Sequence, residues 1–271
     1  MDGLDQCAGR RIGGDGVEGA DDFLVPARRL RRPMTPAPTH LAGERLMLDP
    51  DGALYWRAQR LLAVADLHFE KGSAAAAQGS LLPPWDTRAT LDRLAGLLRR
   101  YKPETVVALG DSFHDARGAA RLHPPDLARL HLFAGAHRFV WVLGNHDPAP
   151  PEGLPGDSVP ELRLGPLRFV HQGRPGPAGG EICGHHHPKA QVRARGALVS
   201  RPCFVLDARR LMLPALGAYT GGLDVQDPAI GGLFPRGGRV FLLGRERLFS
   251  FAYRPIRAHP VPPASPPSAA R

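Results

Sequence analysis

The sequence predicts an α/β fold, and three observations carry that prediction. Leu61–Asp66, Thr105–Asp111 and Phe139–Leu143 are short continuous apolar runs, the signature of strands buried on both faces. A stretch with helical periodicity, Leu91, Leu94, Leu98 and Tyr101, separates the first two runs. Each run also delivers carboxylate, carboxamide or imidazole groups at its C-terminal end: Asp66 and His68, Asp111, and Asn145-His146-Asp147. In parallel α/β sheets that edge is where ligands bind.

Taken in order, residues 1–35 are Gly- and Asp-rich, then Arg-rich, without apolar periodicity, and predict a disordered extension. Met34 stands just ahead of the first strand-like segment and is the candidate native start. Leu46–Leu48 and Ala53–Trp56 flank the turn signal Asp49-Pro-Asp-Gly52. After the Leu61–Asp66 strand, Ser73–Gln78 reads as a short helix. Asp86 or Thr87 is placed to cap the next helix, whose Leu91, Leu94, Leu98 and Tyr101 share one face that Pro103 terminates. Glu70 and Lys71 read as solvated loop charges. A helix over Asp126–Ala136 precedes the Phe139 strand, and Pro148–Pro160 reads as a loop. Leu162–Leu164 and Leu167–His171 form a hairpin around Gly165-Pro166, and Gly173–Gly180 reads as flexible. Later strands are expected at Ile182–Cys183, Cys203–Leu206, Leu211–Leu213, Phe241–Leu243 and Leu248–Phe251. Residues 36–254 are therefore one folded domain, and 255–271 a disordered Pro/Ala-rich tail.

Composition bounds the function classes. The chain of 271 residues with 43% hydrophobic content suits a folded core, and no apolar run approaches the ~20 residues of a membrane span. The first 33 residues lack the apolar block of a secretory signal, which predicts a cytoplasmic protein without membrane partners. Cys7, Cys183 and Cys203 are too few and too scattered for a disulfide framework or a CxxC zinc site. The net charge is +9. Six acidic and six basic residues cancel within residues 1–33, so the excess lies in the folded part. A basic surface attracts phosphate polyanions, nucleic acid foremost. Lys71, Lys102 and Lys189 are the only lysines, and the Arg/Ala/Gly/Pro bias of a GC-rich genome accounts for the charge equally well.

The chemistry lies in five blocks: Asp66-x-His68, Gly110-Asp111, Gly144-Asn145-His146-Asp147, His171, and Gly184-His185-His186-His187. Residues two apart on an extended chain point the same way, so Asp66 with His68, and His185 with His187, could each grip one ion. Mixed carboxylate, imidazole and carboxamide donors suit Mn, Fe or Zn better than Ca or Mg. So many donors exceed the needs of one ion, whereas two ions ~3.5–4 Å apart fit the count.

In order and spacing these blocks resemble the calcineurin-like metallophosphoesterases, with their pattern DxH…GD…GNH(D/E)…H…GHxH. The resemblance implies a metallophosphoesterase fold of two packed mixed β-sheets flanked by α-helices. It implies one divalent metal on Asp66, His68 and His187, a second on Asn145, His171 and His185, and Asp111 bridging them. His186 takes the variable position. The resemblance also places His146 beside the scissile phosphate, oriented through a hydrogen bond to Asp147, with water activated by the metals. Ala65–Gly72, Leu82–Arg88, Gly110–Asp115 and Leu213–Gly222 further resemble the bacterial ligase-associated DNA damage response endonucleases. That likeness implies Mn²⁺-dependent cleavage of single-stranded DNA, in association with an ATP-dependent DNA ligase and a large helicase. His114, just after the bridging aspartate, is a candidate substrate contact.

Plainer roles are expected elsewhere. His40, His123, His131, His137 and His259 read as solvated or core residues, Cys183 as core, and Tyr219 as a packing residue in a Gly-rich turn. A phosphatase or phosphodiesterase acting on nucleotides, small molecules or phosphoproteins is the alternative enzyme reading, since one fold serves many substrates. A scaffold with a vestigial site is the non-enzyme reading, and the intact donor set argues against it.

Overall fold

Seven strands between residues 37 and 159 form one sheet, in sequence order: β1 (Ala37–Leu41), β2 (Glu44–Leu48), β3 (Leu54–Trp56), β4 (Leu61–Ala65), β5 (Thr105–Leu109), β6 (Arg138–Val142) and β7 (Asp157–Val159). The computed structural model of the protein describes residues 34–80, 82–149, 153–176, 179–194 and 196–255. The expectations for residues 1–33 and for the tail beyond 255, including Cys7 and His259, lie outside the described residues. Thr35 is already tied to the fold, its N–H donating to the Glu246 carbonyl at 2.8 Å.

β1 to β4 pair antiparallel and β4 to β7 parallel. The register sets Ala65 beside Leu109 and Leu109 beside Val142, so Asp66, Gly110 and Leu143 leave the sheet at one level. The second sheet contains β8 (Glu161–Leu164), β9 (Leu167–Val170), β10 (Glu181–Cys183), β11 (Lys189–Ala194), β12 (Ala197–Leu206), β13 (Arg210–Met212), β14 (Gly238–Leu243) and β15 (Leu248–Tyr253). Its order is β15-β14-β12-β13-β10-β9-β8, with β11 paired only to β12. β10 lies parallel to both β9 and β13, so this sheet is mixed as well.

Strand periodicity decides what packs where. Leu61, Ala63 and Ala65 face the second sheet, where they join Val107, Leu109, Val140, Val142, Phe169, Ile182, Phe204 and Leu211 in a core between the sheets. Leu62, Val64, Val106, Ala108, Phe139 and Trp141 face the other way, onto α2 (Asp86–Tyr101) and α4 (Pro124–Ala136). The Leu91, Leu94 and Leu98 stripe is buried there as predicted. Cys183 and Cys203 are free, buried core residues on the far face of the second sheet, against Val225, Ile230 and Phe234.

Several elements differ from the sequence reading. α1 spans Lys71–Ala77, and α4 starts at Pro124, where a missing N–H costs nothing in a first turn. β1, β7, the β11–β12 hairpin, α3 (Gly118–Arg121) and α5 (Pro228–Gly231) were not anticipated. β7 occupies the end of the expected 148–160 loop, because β6 offers a free edge to pair with. Neither Asp86 nor Thr87 caps α2. Trp85 is the cap residue, without a side-chain cap bond. Asp86 Oδ2 instead accepts from Gly72 N at 3.1 Å, and Thr87 Oγ1 donates to Glu70 Oε1 at 2.9 Å. Glu70 is accordingly buried rather than solvated.

Candidate metal centre

The C-terminal ends of β4, β5 and β6 converge with the loops that follow β9 and β10. There Asp66, His68 and His187 form one group and Asp111, His171 and His185 another, and within each group one donor atom per residue lies within 4.8 Å of the others. Asp66, His68, Asp111 and His171 are buried. The His185 N–H donates to the Asp66 carboxylate and the His146 N–H to Asp111 Oδ1, and the remaining ligand atoms face one another. His68 Nε2 lies 3.2 Å from His187 Nε2, and His185 Nδ1 lies 3.1 Å from His171 Nε2. Asp66 Oδ1 sits 3.5 Å from His187 Nε2. Asp111 Oδ2 faces both groups, 3.8 Å from His68 Nε2 and 3.4 Å from His171 Nε2. Asn145 Oδ1 closes on His171 Nε2 at 2.9 Å. A carboxylate, imidazole and carboxamide set clustered in this way is what a divalent metal of the Mn, Fe or Zn kind takes. The residues therefore fit two metal ions.

The pairing corrects one step of the sequence argument. His185 and His187 fall into different donor groups. The chain is not extended there, nor at 66–68: Asp66, His68, His185 and His187 all have positive φ, so alternation along a strand does not apply. Asp66 and His68 do share a group, through a turn in the left-handed region.

Electrostatics say the same. Burial lowers His68 to a pKa of about 3 and His185 to about 4, so both rings are neutral and available as ligands. Burial works against a charge on His171 too. The hydrogen bond to Asp111 and the charges of Asp66 and Asp111 outweigh it and raise His171 to about 9. Burial would also raise Asp111, but the His171 hydrogen bond and charge hold its carboxyl well below the usual range. A proton on His171 supplies positive charge where a metal would. The Leu109 carbonyl, 3.0 Å from His171 Nδ1, accepts that nitrogen's proton and turns Nε2 toward the donors.

Two glycines let these groups approach. A Cβ on Gly144 would collide with the Asp111 carboxylate and stand 2.6 Å from Asp147 Oδ1, and one on Gly184 would stand 2.6 Å from Asp66 Oδ2.

Asp147 does not orient His146. Its carboxylate accepts four backbone N–H bonds: from Asp111 at 2.9 Å, Ser112 at 2.7 Å, Phe113 at 3.2 Å and Gly144 at 3.1 Å. It pins the loop that presents Asp111. Burial and the Asp111 charge push it up to about 6, against the pull of those N–H groups. His146 is oriented instead by the His114 carbonyl, 2.8 Å from its Nδ1, with Nε2 3.9 Å from Asp111 Oδ2. The His114 ring stacks on His146, centroids 5.3 Å apart. His186 packs edge-on against His185 and belongs to neither donor group. Among the described residues, His40, His123, His131 and His137 also stay outside both groups.

The Calcineurin-like phosphoesterase family matches residues 59–195, just over half of the chain. The chain is a calcineurin-like phosphoesterase. Among solved structures this phosphoesterase is similar to the Pseudomonas putida nuclease MPE, at 31% identity over 80% of this chain and 100% of that one, with a TM-score of 0.62. It also matches Yfce, a phosphoesterase from E. coli, at 16% identity over 72% of this chain and 99% of that one, with a TM-score of 0.35. No curated protein matches it. Family membership makes the chain a metal-dependent phosphoester hydrolase of two mixed sheets flanked by helices. No helix among the described residues is long and apolar enough to cross a membrane.

The remaining motifs also find places. Gly72 and Glu70 of the Ala65–Gly72 stretch bond Asp86 and Thr87 of the Leu82–Arg88 stretch. Leu216 and Gly217 donate backbone N–H bonds to the Ala65 and Asp66 carbonyls at 2.9 and 3.1 Å. These segments brace the Asp66 turn. The role of Glu70 was missed because a buried loop carboxylate has no sequence signal separate from a solvated one.

Proposed function

We propose that this phosphoesterase is a Mn²⁺-dependent endonuclease that cuts single-stranded DNA in a cytoplasmic repair setting, associated with an ATP-dependent DNA ligase and a large helicase. The observation that carries it is the pair of donor groups joined through Asp111, with His146 at their rim. In this reading Asp66, His68 and His187 would hold one ion, Asn145, His171 and His185 the other, and Asp111 would serve both. When bound, the ions would supply an activated water and neutralise charge on the phosphoryl oxygens.

The chain's own residues do the rest. His146, with Nδ1 spent on the His114 carbonyl, presents Nε2 to the leaving oxygen and hands it a proton. His114, half-buried and stacked on that ring, contacts a non-bridging phosphate oxygen. Asp147 holds the Asp111–Phe113 loop in place. The likeness to a protein described as a nuclease and the basic folded part support a nucleic-acid substrate. Incubation of the Mn²⁺-loaded protein with end-labelled single strands should give internal cuts that EDTA abolishes. Turnover of small phosphate esters alone would reject the DNA assignment. Co-purification with ligase and helicase from the source cell tests the association.

A further inference from the structure

The β11–β12 hairpin leaves the metal centre directly after His187, and only its base, Cys203–Leu206, pairs with β14. An open groove of about 820 Å³ lies beside the hairpin. Its inner wall includes Ala215, on the segment whose next two residues bond the Ala65 and Asp66 carbonyls. Arg193 and Arg201 from the hairpin and Arg245 from the β14–β15 turn line it, all exposed and, among the described residues, without a hydrogen bond or ion pair. Arg93 joins them from α2, one guanidinium nitrogen spent on the Leu216 carbonyl. Among the described residues Asp51 is the one carboxylate lining the groove, and Arg100 pairs with it at 3.0 Å. Phe249 and Phe251, 42% and 44% exposed, stand two apart on β15 and so share one face.

Three arginines without a partner among the described residues gain the fold nothing, and two half-exposed rings on an edge strand, Phe249 with the Arg247 guanidinium 5.1 Å from its centroid, invite aggregation. Both become useful against one ligand class, a single-stranded polynucleotide, whose phosphates release counterions to arginine and whose unpaired bases stack on aromatic faces. A duplex hides its base faces. Residues 256–271 carry Arg257 and Arg271 and no acidic side chain, so their side chains do not complement the groove. A second copy would bring the same positive charge.

We propose that this groove holds the part of a DNA single strand that flanks the scissile phosphate. The inference rests on the nuclease reading above. The test measures Mn²⁺-dependent cleavage of a labelled single-stranded 20-mer, and separately of bis(4-nitrophenyl) phosphate, a diester with no flanking nucleotides. It compares the native chain with R193A/R201A/R245A, its triple-lysine counterpart, and F249A/F251A. The triple alanine variant should raise KM for the strand at least ~10-fold and lower the slope of log affinity against log salt by about 2, roughly 0.7 for each lost phosphate contact. Its turnover of the small diester should be unchanged, and lysines should restore most of the loss. F249A/F251A should erode the preference for single strand over duplex. If the native chain cuts DNA and the triple variant cuts it with the same KM and salt slope, the groove assignment fails alone. If the native chain turns over the small diester but neither binds nor cuts single strands, the nuclease reading fails and the groove with it. Duplex bound as tightly as single strand by the native chain also overturns the proposal.

Discussion

Asp66, His68, Asp111, His185 and His187 all hold φ between +44° and +73°, a region that side chains other than glycine enter at a cost on the order of 1–3 kcal/mol each. Five such residues in one centre persist only because neighbours over-determine them, and Asp147 is the neighbour that does so for Asp111. An Asp147→Asn variant keeps the volume but turns an N–H₂ group toward backbone N–H donors. Each donor left facing it costs on the order of 1–3 kcal/mol. The expected outcome is a lower urea midpoint together with weaker metal retention, read by unfolding and by metal analysis of the dialysed protein. Unchanged stability and metal content, with only the pH profile of turnover altered, would return Asp147 to the role of orienting His146. None of this was legible in the sequence. A GNHD block announces that a carboxylate follows the histidine, but not that four N–H groups from two loops converge on it.

The strands at the centre of the first sheet were legible because burial on both faces leaves an apolar run that no loop imitates. Edge and projecting strands were not. Lys189–Ala194 reads K-A-Q-V-R-A and becomes a strand because Ala197–Leu206 returns alongside it. Tyr101 shows a subtler limit: it was placed on the apolar stripe of α2, and its ring does stack on Tyr55 with centroids 4.4 Å apart. Its hydroxyl, however, donates to the buried Asp49 Oδ2 at 2.5 Å, beside Arg100 Nη1 at 2.6 Å. Burial and then Asp49 raise the Tyr101 pKa, so its stabilisation is complete below the unfolded value of about 10 and is lost as pH climbs toward the folded one. Tyr101→Phe should cost on the order of 1.5–3 kcal/mol at pH 7, the range for a hydrogen bond to a charged group. That deficit should shrink above about pH 10. Urea titrations at pH 7 and 10.5 check it, and a gap that widens with pH would contradict the assignment. A parallel case ties β10 to β13. Arg210 Nε donates to Glu181 Oε1 at 2.6 Å, both side chains buried. Glu181→Gln alone leaves a buried guanidinium short of its counter-charge, costing about 3–5 kcal/mol, whereas Glu181→Gln with Arg210→Met should recover much of that loss. A double variant as unstable as the single one would show that the pair matters for its Leu233 and Arg174 carbonyl bonds rather than its charge.

The two sheets meet their functional task at one edge, where loops from the first sheet supply Asp66, His68, Asp111 and Asn145 and loops from the second supply His171, His185 and His187. Order along the chain made these residues legible as a set, since five blocks fall in sequence between 66 and 187. Their division between two ions was not legible from spacing, because it depends on backbone turns that tilt His185 and His187 apart. Metal binding is therefore coupled to the mutual fixing of both sheets, and removal of the ions should be read globally. Each ion held at a hundredfold excess over its Kd stabilises the folded chain by about 2.7 kcal/mol. That corresponds to an EDTA-induced fall in Tm on the order of 5–10 °C for each occupied site. In Asp111→Ala, where the carboxylate facing both groups is gone, the EDTA effect should all but vanish and bound metal should fall toward zero. His68→Ala and His185→Ala should each keep about half of the shift and one ion per chain, by the same linkage. Calorimetry with and without EDTA, alongside metal content, separates the outcomes. Equal loss in all three variants would mean that the two ions bind as one unit and that Asp111 holds no special place between them.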